Sequence, residues 1–141
     1  MLKSLINKFE QAKKNVKASV IEAFNSNSEE WAELNRSQLE KGYTKKGERI
    51  GEYQNPLYAD VKNRMNPKAG YGNWDFKYTG AFYDSIYANA KGNNIITNAS
   101  DFKLPILEKK TGKDALGLNE ENKKKFIFNK FALDVKNNLG L

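Results

Sequence analysis

The side chains in this sequence that suit acid–base chemistry are carboxylates. Four of them, Asp75, Asp84, Asp101 and Glu108, lie in or near an aromatic-rich stretch. Glycoside hydrolysis would need two such carboxyls facing each other across a cleft, ~5–9.5 Å apart. None of the four lies in a recognisable catalytic motif, and Asp84 and Asp101 also suit a turn or a helix cap. A carboxylate enzyme, such as a small glycosidase or lytic factor, is therefore one alternative.

The absence of two residue types removes most other catalytic chemistry. The sequence contains no cysteine and no histidine, which excludes disulfides, Cys/His zinc sites, a thiol nucleophile and an imidazole general base. Triads of the Ser-His-Asp or Cys-His kind are excluded with them. The remaining Asp and Glu residues are scattered and do not form a metal-coordination set. We predict a protein without catalytic residues, metal or cofactor, and not an enzyme.

Stacking on aromatic rings is the second chemistry that the sequence offers. Tyr71, Trp74, Phe76 and Tyr78 lie in a glycine-rich connection, residues 67–78, and lysines could bind phosphates. The 24 basic residues exceed the 17 acidic ones and give a net charge of +7, but all except three are lysines, dispersed along the chain. No nucleic-acid-binding fingerprint is present. A non-specific nucleic-acid-binding module is therefore the second alternative.

The first element that must position these residues is an amphipathic helix at the N-terminus. Apolar residues recur there at three- and four-residue steps, which predicts about six helical turns flanked by lysines. We expect this face to pack on its own domain or on a partner subunit rather than on a membrane. We also expect no signal peptide, no membrane span and an intracellular protein. The apolar positions are Leu2, Leu5, Ile6, Phe9, Ala12, Val16, Val20 and Phe24.

Two further helices should follow the first. Residues 25–28 break the first helix, and their side chains suit the cap of a second one, whose buried side includes Trp31. A left-handed glycine, Gly42, should stop that helix, and residues 43–54 form a loop. Asn55-Pro56 predicts a capped third helix that ends before Asn66-Pro67. The remaining apolar positions of these helices are Leu34, Leu39, Tyr58, Val61 and Met65.

The second half of the chain predicts a hairpin between helical segments. Residues 85–90 and 94–98 carry strand patterns, and Lys91-Gly92-Asn93 suits a tight turn. Ser100 or Asp101 should cap a short stretch that ends at Thr111-Gly112, and Asn119 should cap a final helix. The expected inner edge of that helix contains Ile127, Phe131, Asp134/Val135 and Asn138/Leu139, widened by Phe128. The expected fold class is α+β: N-terminal helices, a small antiparallel sheet built around a hairpin, and a C-terminal helix packed on the sheet.

One short motif is more specific than these patterns. Residues 78–86 contain the skeleton Thr-Gly-x-Φ-x-x-Ser-Ile, in which Φ is a large apolar residue. Its physical logic is a turn that leads into a strand, with a threonine cap, a flexible glycine, two core residues one turn apart and a serine that closes the turn. The skeleton consists of Thr79, Gly80, Phe82, Ser85 and Ile86.

This motif resembles the Thr-Gly-x-Leu-x-x-Ser-Ile motif of the tail-completion, or neck, proteins of tailed bacteriophages, and it is similar to one in the phage virion-morphogenesis family. After the hairpin, those families show an apolar stretch that ends in Glu, followed by a Gly-Thr-Gly variant. Here Glu108 precedes Thr111-Gly112, and Lys109-Lys110 replaces the usual glycine between them. Residues 117–121, Gly-Leu-Asn-Glu-Glu, are similar to the family's Gly-Leu-Ser/Thr-x-Glu. The likeness spans roughly residues 29–139.

The resemblance implies a structural virion protein rather than an enzyme. It implies a ring-forming subunit at the head–tail junction that joins the portal or connector stack to the tail around the DNA channel. The implied location is the virion, with the host cytoplasm during assembly, and the implied partners are further copies of the chain, portal, connector and tail proteins, and non-specific contact with DNA. We expect residues 1–25 to be an added helix and residues 26–141 to form one domain. The candidate subunit contacts are Phe9, Val16, Tyr53, Tyr71, Trp74 and Phe76.

Overall fold

The computed structural model describes residues 1–77, 79–111 and 114–140, with only the backbone of Thr111. The fold is α+β, as predicted: helices at both ends enclose a two-stranded antiparallel sheet. The elements in chain order are α1 (Leu2–Ser26), α2 (Ser28–Glu40), α3 (Pro56–Met65), a 3-10 turn (Pro67–Ala69), α4 (Ala81–Asp84), β1 (Ile86–Lys91), β2 (Asn94–Ala99), α5 (Leu104–Thr111), α6 (Glu120–Phe126), a π-helical stretch (Ile127–Phe131) and α7 (Ala132–Asn138).

The junction between α1 and α2 differs from the prediction. Asn27 is the N-cap residue of α2, but its side chain makes no capping hydrogen bond. Its amide instead donates to the Ala23 carbonyl and to the Asp134 carboxylate, each at 2.7 Å. The predicted side-chain cap is therefore wrong, because Asn27 ties the end of α1 to α7 instead. Within the first turn of α2, Glu29 and Glu30 lie where the helix dipole favours acidic side chains.

The hairpin has the predicted form. Strands β1 and β2 pair in antiparallel register from Ile86 opposite Ala99 to Lys91 opposite Asn94. Gly92 has a φ of 62° in the tight turn between them, a conformation that glycine adopts without steric cost. Because α1 and α2 both pack against β1, the sheet has one covered face.

Two clusters form the hydrophobic core. The first lies between α2, α4 and the ends of the strands, where Leu39, Phe82 and Ile86 pack together. The second lies at the other end of β1 and contains Phe24, Trp31, Ala88, Leu118 and Phe126. The rings of Phe24, Trp31 and Phe126 contact each other at centroid distances of 5.1–5.5 Å. This aromatic triad holds the last turn of α1, the start of α2 and α6 together.

The third helix begins and ends as predicted, and its large apolar positions are exposed. The side chain of Asn55 accepts hydrogen bonds from two backbone N–H groups of the first turn, and the helix stops at Met65, before Asn66-Pro67. Tyr58, Val61 and Met65 are exposed. Its buried positions are Ala59 and Lys62, so α3 turns its apolar ridge to solvent.

The C-terminal helix also presents a different face. Phe126 is its buried residue, whereas Ile127 is exposed and Phe128 is 81% exposed, so the predicted inner edge is wrong at both positions. The π-helical stretch explains the difference, because its wider turns place residues five apart on one face. Phe126 and Phe131 are five apart, and their rings stack at 5.1 Å.

Candidate functional site

A cleft forms where two distant loop segments pair. The Trp74 backbone N–H donates to the Gly51 carbonyl at 2.9 Å, and the Tyr53 N–H donates to the Gly72 carbonyl at 2.8 Å. These bonds align residues 51–53 with residues 72–74 as a short antiparallel pair. The pairing brings the side chains of Tyr53 and Trp74 to the same cleft, of about 490 Å³.

The position of Trp74 depends on a glycine. A Cβ atom on Gly51 would lie 2.6 Å from Cζ3 of the Trp74 indole, a distance that real Cβ atoms do not reach. The indole therefore lies directly on the bare backbone of Gly51. One face of the ring is fixed by this contact, and the ring is only half-buried.

Four aromatic rings line the cleft. Tyr53 contacts Tyr58 edge-on at 5.0 Å and Trp74 at 6.3 Å, and Trp74 contacts Phe76 at 6.5 Å. Phe76 continues the series into the core through an edge-on contact with Phe82 at 6.3 Å. The rings form a connected series from the cleft mouth to the first core cluster, and tilted or edge-on pairs of this kind contribute about 0.5–1.5 kcal/mol each.

Phe76 has a strained backbone. Its φ of 59° lies in the left-handed region, which bulky residues rarely occupy. Such a conformation costs on the order of 1–3 kcal/mol and persists only where its surroundings hold it. The ring packing on Trp74 and Phe82 is one such restraint.

A buried ion pair lies beneath the rings. The Asp75 carboxylate contacts the Lys62 ammonium at 2.8 Å, and both side chains are almost fully buried. Asp75 also accepts from the Asn66 amide at 2.8 Å and from the Lys77 N–H at 2.9 Å, while the Tyr83 hydroxyl donates to the Asp75 carbonyl. This carboxylate is saturated by structural donors, so it anchors the loop rather than facing a reacting group.

The phenols around this carboxylate stay neutral. Burial raises the pKa of Tyr53 and of Tyr83 well above the ordinary phenol value, and the negative charge of Asp75 raises both further. Both hydroxyls are therefore protonated at physiological pH. The cleft presents neutral rings rather than phenolates to whatever enters it.

Lysines from several elements surround the rings. Lys62, Lys77, Lys103 and Lys110 line the cleft, with Glu52 as the acidic residue among the described lining residues. Lys77 contacts the Glu40 carboxylate at 3.4 Å. The Lys110 ammonium lies above the Trp74 ring, 5.7 Å from its centroid, in a cation–π arrangement.

The larger groove of the described chain has a different character. It measures about 1230 Å³ and lies between β2, α2 and the start of α6, with Ile95 and Ile96 in its wall. Its lysines are largely neutralised by nearby acids. The pairs are Lys46–Asp114 at 2.9 Å, Lys123–Glu120 at 3.2 Å and Lys125–Glu121 at 3.3 Å.

A second candidate surface is the free part of α1. Every residue from 1 to 18 is exposed, and the apolar stripe predicted from the sequence lies uncovered along it. Phe9, the centre of the stripe, is 63% exposed, and Val16 is also exposed. Five lysines against Glu10 give this stretch most of the net charge of the chain. Residues 1–18 of the N-terminal helix are thus apolar on one side and basic on the flanks, and their apolar stripe is open to solvent.

A third surface runs along α3. Leu57, Val61 and Met65 lie four residues apart and form one exposed ridge, with Leu57 76% exposed. Tyr71 lies beside the start of this ridge, where its hydroxyl reaches the Pro56 carbonyl at 3.5 Å. A hydrogen bond with Asp60 raises the pKa of Tyr71, so its exposed ring stays neutral as well. We call Leu57, Val61, Met65 and Tyr71 the α3 face.

The predicted contact residues therefore fall into two groups. Tyr53, Trp74 and Phe76 come together in the cleft, whereas Phe9, Val16 and Tyr71 lie on the α1 stripe and the α3 face. Among the predicted stacking residues, Tyr71 lies outside the cleft lining and Tyr78 lies outside the described residues.

The Thr-Gly motif forms the predicted turn, but Gly80 rather than Thr79 is the N-cap residue of α4, so Thr79 lies one residue before the cap position that was predicted for it. The Thr79 hydroxyl accepts from the Ala81 N–H at 3.3 Å, and Gly80 has a φ of 87°. Phe82 and Ile86 are buried in the same core cluster. Ser85 does more than close the turn: its hydroxyl donates to the Phe82 carbonyl at 2.8 Å and accepts from the Asp101 N–H at 3.2 Å. The motif thus joins the turn to the segment before α5.

The second part of the motif lies partly outside the described residues. Glu108 is half-buried on α5, and Thr111 is the last residue of that helix. Gly112 lies outside the described residues.

The other predicted acids have local roles. Asp101 accepts from the Lys103 N–H at 2.8 Å, as predicted for a cap residue. Asp84 is exposed in α4. No group of three or more acidic residues within the described parts of the chain could hold a metal ion.

The sequence did not indicate that Tyr53, Tyr58 and Lys62 share a site with Trp74. These residues belong to a loop and a helix that are remote from Trp74 in sequence. The sequence signal for this contact is Gly51, since an isolated loop glycine often marks the close approach of another group to the backbone. Lys62 could not be recognised as buried, because lysine is almost always exposed unless it is paired.

Neither a membrane-spanning helix among the described residues nor a match to a known protein is found. No helix within the described ranges has both the length and the apolar composition needed to cross a bilayer. Searches against family models, curated proteins and solved structures found no match to this chain.

Proposed function

We propose that this chain is a structural virion protein of a tailed bacteriophage. In this proposal it forms a ring at the head–tail junction and joins the portal-connector stack to the tail around the DNA channel. Its work is contact rather than catalysis. It acts in the virion and passes through the host cytoplasm during assembly.

The observation that carries the proposal is a pair of unlike apolar surfaces on one small body. The α1 stripe is a long, basic-flanked ridge, whereas the α3 face is short and includes a tyrosine. A ring with a single kind of subunit needs heterologous contacts, in which one surface of a subunit meets a different surface of its neighbour. A chain with two unlike exposed ridges meets that requirement, and exposed apolar ridges mark interaction surfaces more often than inert ones.

The resemblance of the Thr-Gly motif to phage neck proteins supports the same proposal. Thr79, Gly80 and Ser85 form a turn that connects the cleft segment to the hairpin. Lysine flanks on α1 suit a surface near DNA, because a hydrated ammonium attracts phosphates without reading bases.

The test is the mass of the chain in solution, alone and mixed with a phage connector protein or a tail-tube protein. We expect Phe9→Glu with Val16→Glu, and separately Val61→Glu, to abolish assembly, because each places a carboxylate in one apolar contact. In a mixture, the intact α1 stripe of one variant can still bind the intact α3 face of the other. The mixture should therefore form dimers and no larger species, which is the result expected for a heterologous interface. Light scattering after size-exclusion chromatography measures each species.

Asn7→Glu with Gln11→Glu is the matched control for the α1 variant, since it places the same two added charges on the polar side of the α1 helix and should leave assembly intact. A chain that stays a strict monomer and binds neither neighbour would contradict the proposal. A mixture of the two variants that remains monomeric would contradict the assignment of the two surfaces.

A further inference from the structure

We infer that the aromatic cleft binds single-stranded nucleic acid, with a base on the Trp74 and Tyr58 rings and a phosphate on the surrounding lysines. This activity is independent of the proposed ring contacts, which use α1 and the α3 face. It would give the chain a second means of holding a polynucleotide besides the diffuse charge of its surface.

Ring geometry indicates a stacking ligand. Tyr53, Tyr58 and Trp74 meet edge-on or tilted rather than face to face, so none of these contacts is a stacked pair, and the ammonium over the Trp74 ring is carried by a flexible lysine. The volume of about 490 Å³ lies in the range of ~300–1,000 Å³ typical of small-molecule sites. Stacking of one base on an aromatic side chain contributes on the order of 1–3 kcal/mol.

Charge indicates that the ligand is anionic. Lys62 and Lys77 are balanced by Asp75 and Glu40. On α5, Lys110 adds a further ammonium to the cleft lining. Since the Lys110 ammonium lies above the Trp74 ring, a base that enters over the indole arrives beside a cation on a flexible stem.

The lining also indicates which nucleic acid is bound and how selectively. A base must leave its stack to enter a concave site, which a single strand permits at little cost and a duplex resists. No arginine is present among the described lining residues, so the cleft has no rigid guanidinium fork for base recognition, and its lysines act as hydrated point charges. We therefore expect a preference for single strands with little sequence preference.

The rings are already held for binding. Gly51 supports the indole of Trp74, and Phe76 remains in its strained conformation against Phe82. A site whose side chains are ordered before the ligand arrives loses less entropy on binding. The geometry thus favours ligand binding at this cleft over the exposed aromatic residues elsewhere on the surface.

The experiment measures the binding of fluorescein-labelled dT12 to the full chain by anisotropy at several salt concentrations. We expect Trp74→Leu to weaken binding about tenfold or more and Trp74→Phe to weaken it less, because a stacking surface remains. Lys110→Ala leaves the rings in place and should lower the salt slope by about 0.7, the contribution of one phosphate contact on a single strand. A matching DNA duplex should bind more weakly than dT12.

Tyr71→Leu and Lys91→Ala are the matched controls, because both residues are exposed and lie outside the cleft. Circular dichroism establishes that each variant folds. If Trp74→Leu and Tyr71→Leu weaken binding equally, or if dT12 and the duplex bind equally, the inference is overturned. Loss of assembly without loss of dT12 binding in Trp74→Leu would also overturn it, because the cleft would then be a protein contact.

Discussion

The two ends of α1 share one spacing of apolar residues, but one end is packed in the core and the other is exposed to solvent. From Ser19 onward the helix is packed: Ala23 and Phe24 are buried, and α7 lies alongside. From residue 1 to residue 18 the same apolar stripe is fully open to solvent. Most of the stability of a helix in a protein comes from packing of its apolar face, so this exposed stripe would gain from a partner. The comparison shows that a period identifies which side of a helix is apolar, not which molecule covers it.

The largest predicted difference in unfolding free energy is between alanine substitutions of two phenylalanines on α1. Phe24→Ala removes a ring that contacts Trp31 and Phe126 and should cost about 3–5 kcal/mol of unfolding free energy. Phe9→Ala should change the stability of the monomer by less than about 0.5 kcal/mol, because its ring contacts solvent. Urea denaturation at a concentration where the chain is monomeric measures both. Equal costs would mean that the open end of α1 packs on the body in solution.

A smaller difference in stability is expected between methionine substitutions of a buried and an exposed lysine. Lys62→Met leaves the buried Asp75 carboxylate without its cation and should cost about 3 kcal/mol, near the lower end for a broken buried pair, since Asn66 and the Lys77 N–H still donate to it. Lys14→Met on open α1 is the control and should have little effect on monomer stability. Thermal unfolding of the two variants provides the comparison. A neutral Lys62→Met would show that hydrophobic packing replaces this ion pair.

The smallest predicted effect is on an ion pair at the surface, outside the open stretch of α1. A hydrogen bond from Lys46 lowers the pKa of Asp114, and the charges of Lys46 and Lys45 lower it further. Such a pair stabilises the fold above the unfolded-state pKa of the carboxyl and loses that contribution as the pH falls through the lower folded-state pKa. Lys46→Ala should raise the pKa of Asp114 toward its ordinary value, which NMR titration of the carboxyl carbon measures.

Lys8→Ala is the reference for that titration. Among the lysines of the open stretch, Lys13 is the one with an ion pair in the described structure, with Glu10 at 3.9 Å. We expect no Asp or Glu pKa to move on Lys8→Ala. A shift at any body carboxylate would indicate that α1 folds back onto the body.

The sequence predicted the features that depend on neighbouring residues. The caps at Asn55 and Asp101, the turn at Gly92 and the junction at Ser85 all follow from local hydrogen bonding or backbone freedom, and the structure confirms them. The course of α1 was also predictable, since its stripe repeats over many turns.

Features that depend on distant contacts could not be predicted. The aromatic cleft needs the pairing of residues 51–53 with residues 72–74, which no local pattern specifies. The buried face of the C-terminal helix was misassigned at Ile127 because a π-helical stretch changes the period there. The Asn27 side chain bonds α7 instead of capping α2, a choice that depends on Asp134, more than a hundred residues away.

The π-helical stretch also determines which side chains of α7 reach the packed end of α1. Asp134 binds Asn27 at 2.7 Å and Asn138 binds the Ser19 carbonyl at 3.4 Å, so α7 clamps the packed end of α1. One residue more or fewer between Phe126 and Ala132 would turn α7 by roughly 100° relative to α6. Such a turn would break both hydrogen bonds and leave the packed end of α1 held by the contacts of Phe24 with Trp31 and Phe126 and by β1. The length of the π-helical stretch therefore determines whether α7 and α1 are joined by hydrogen bonds.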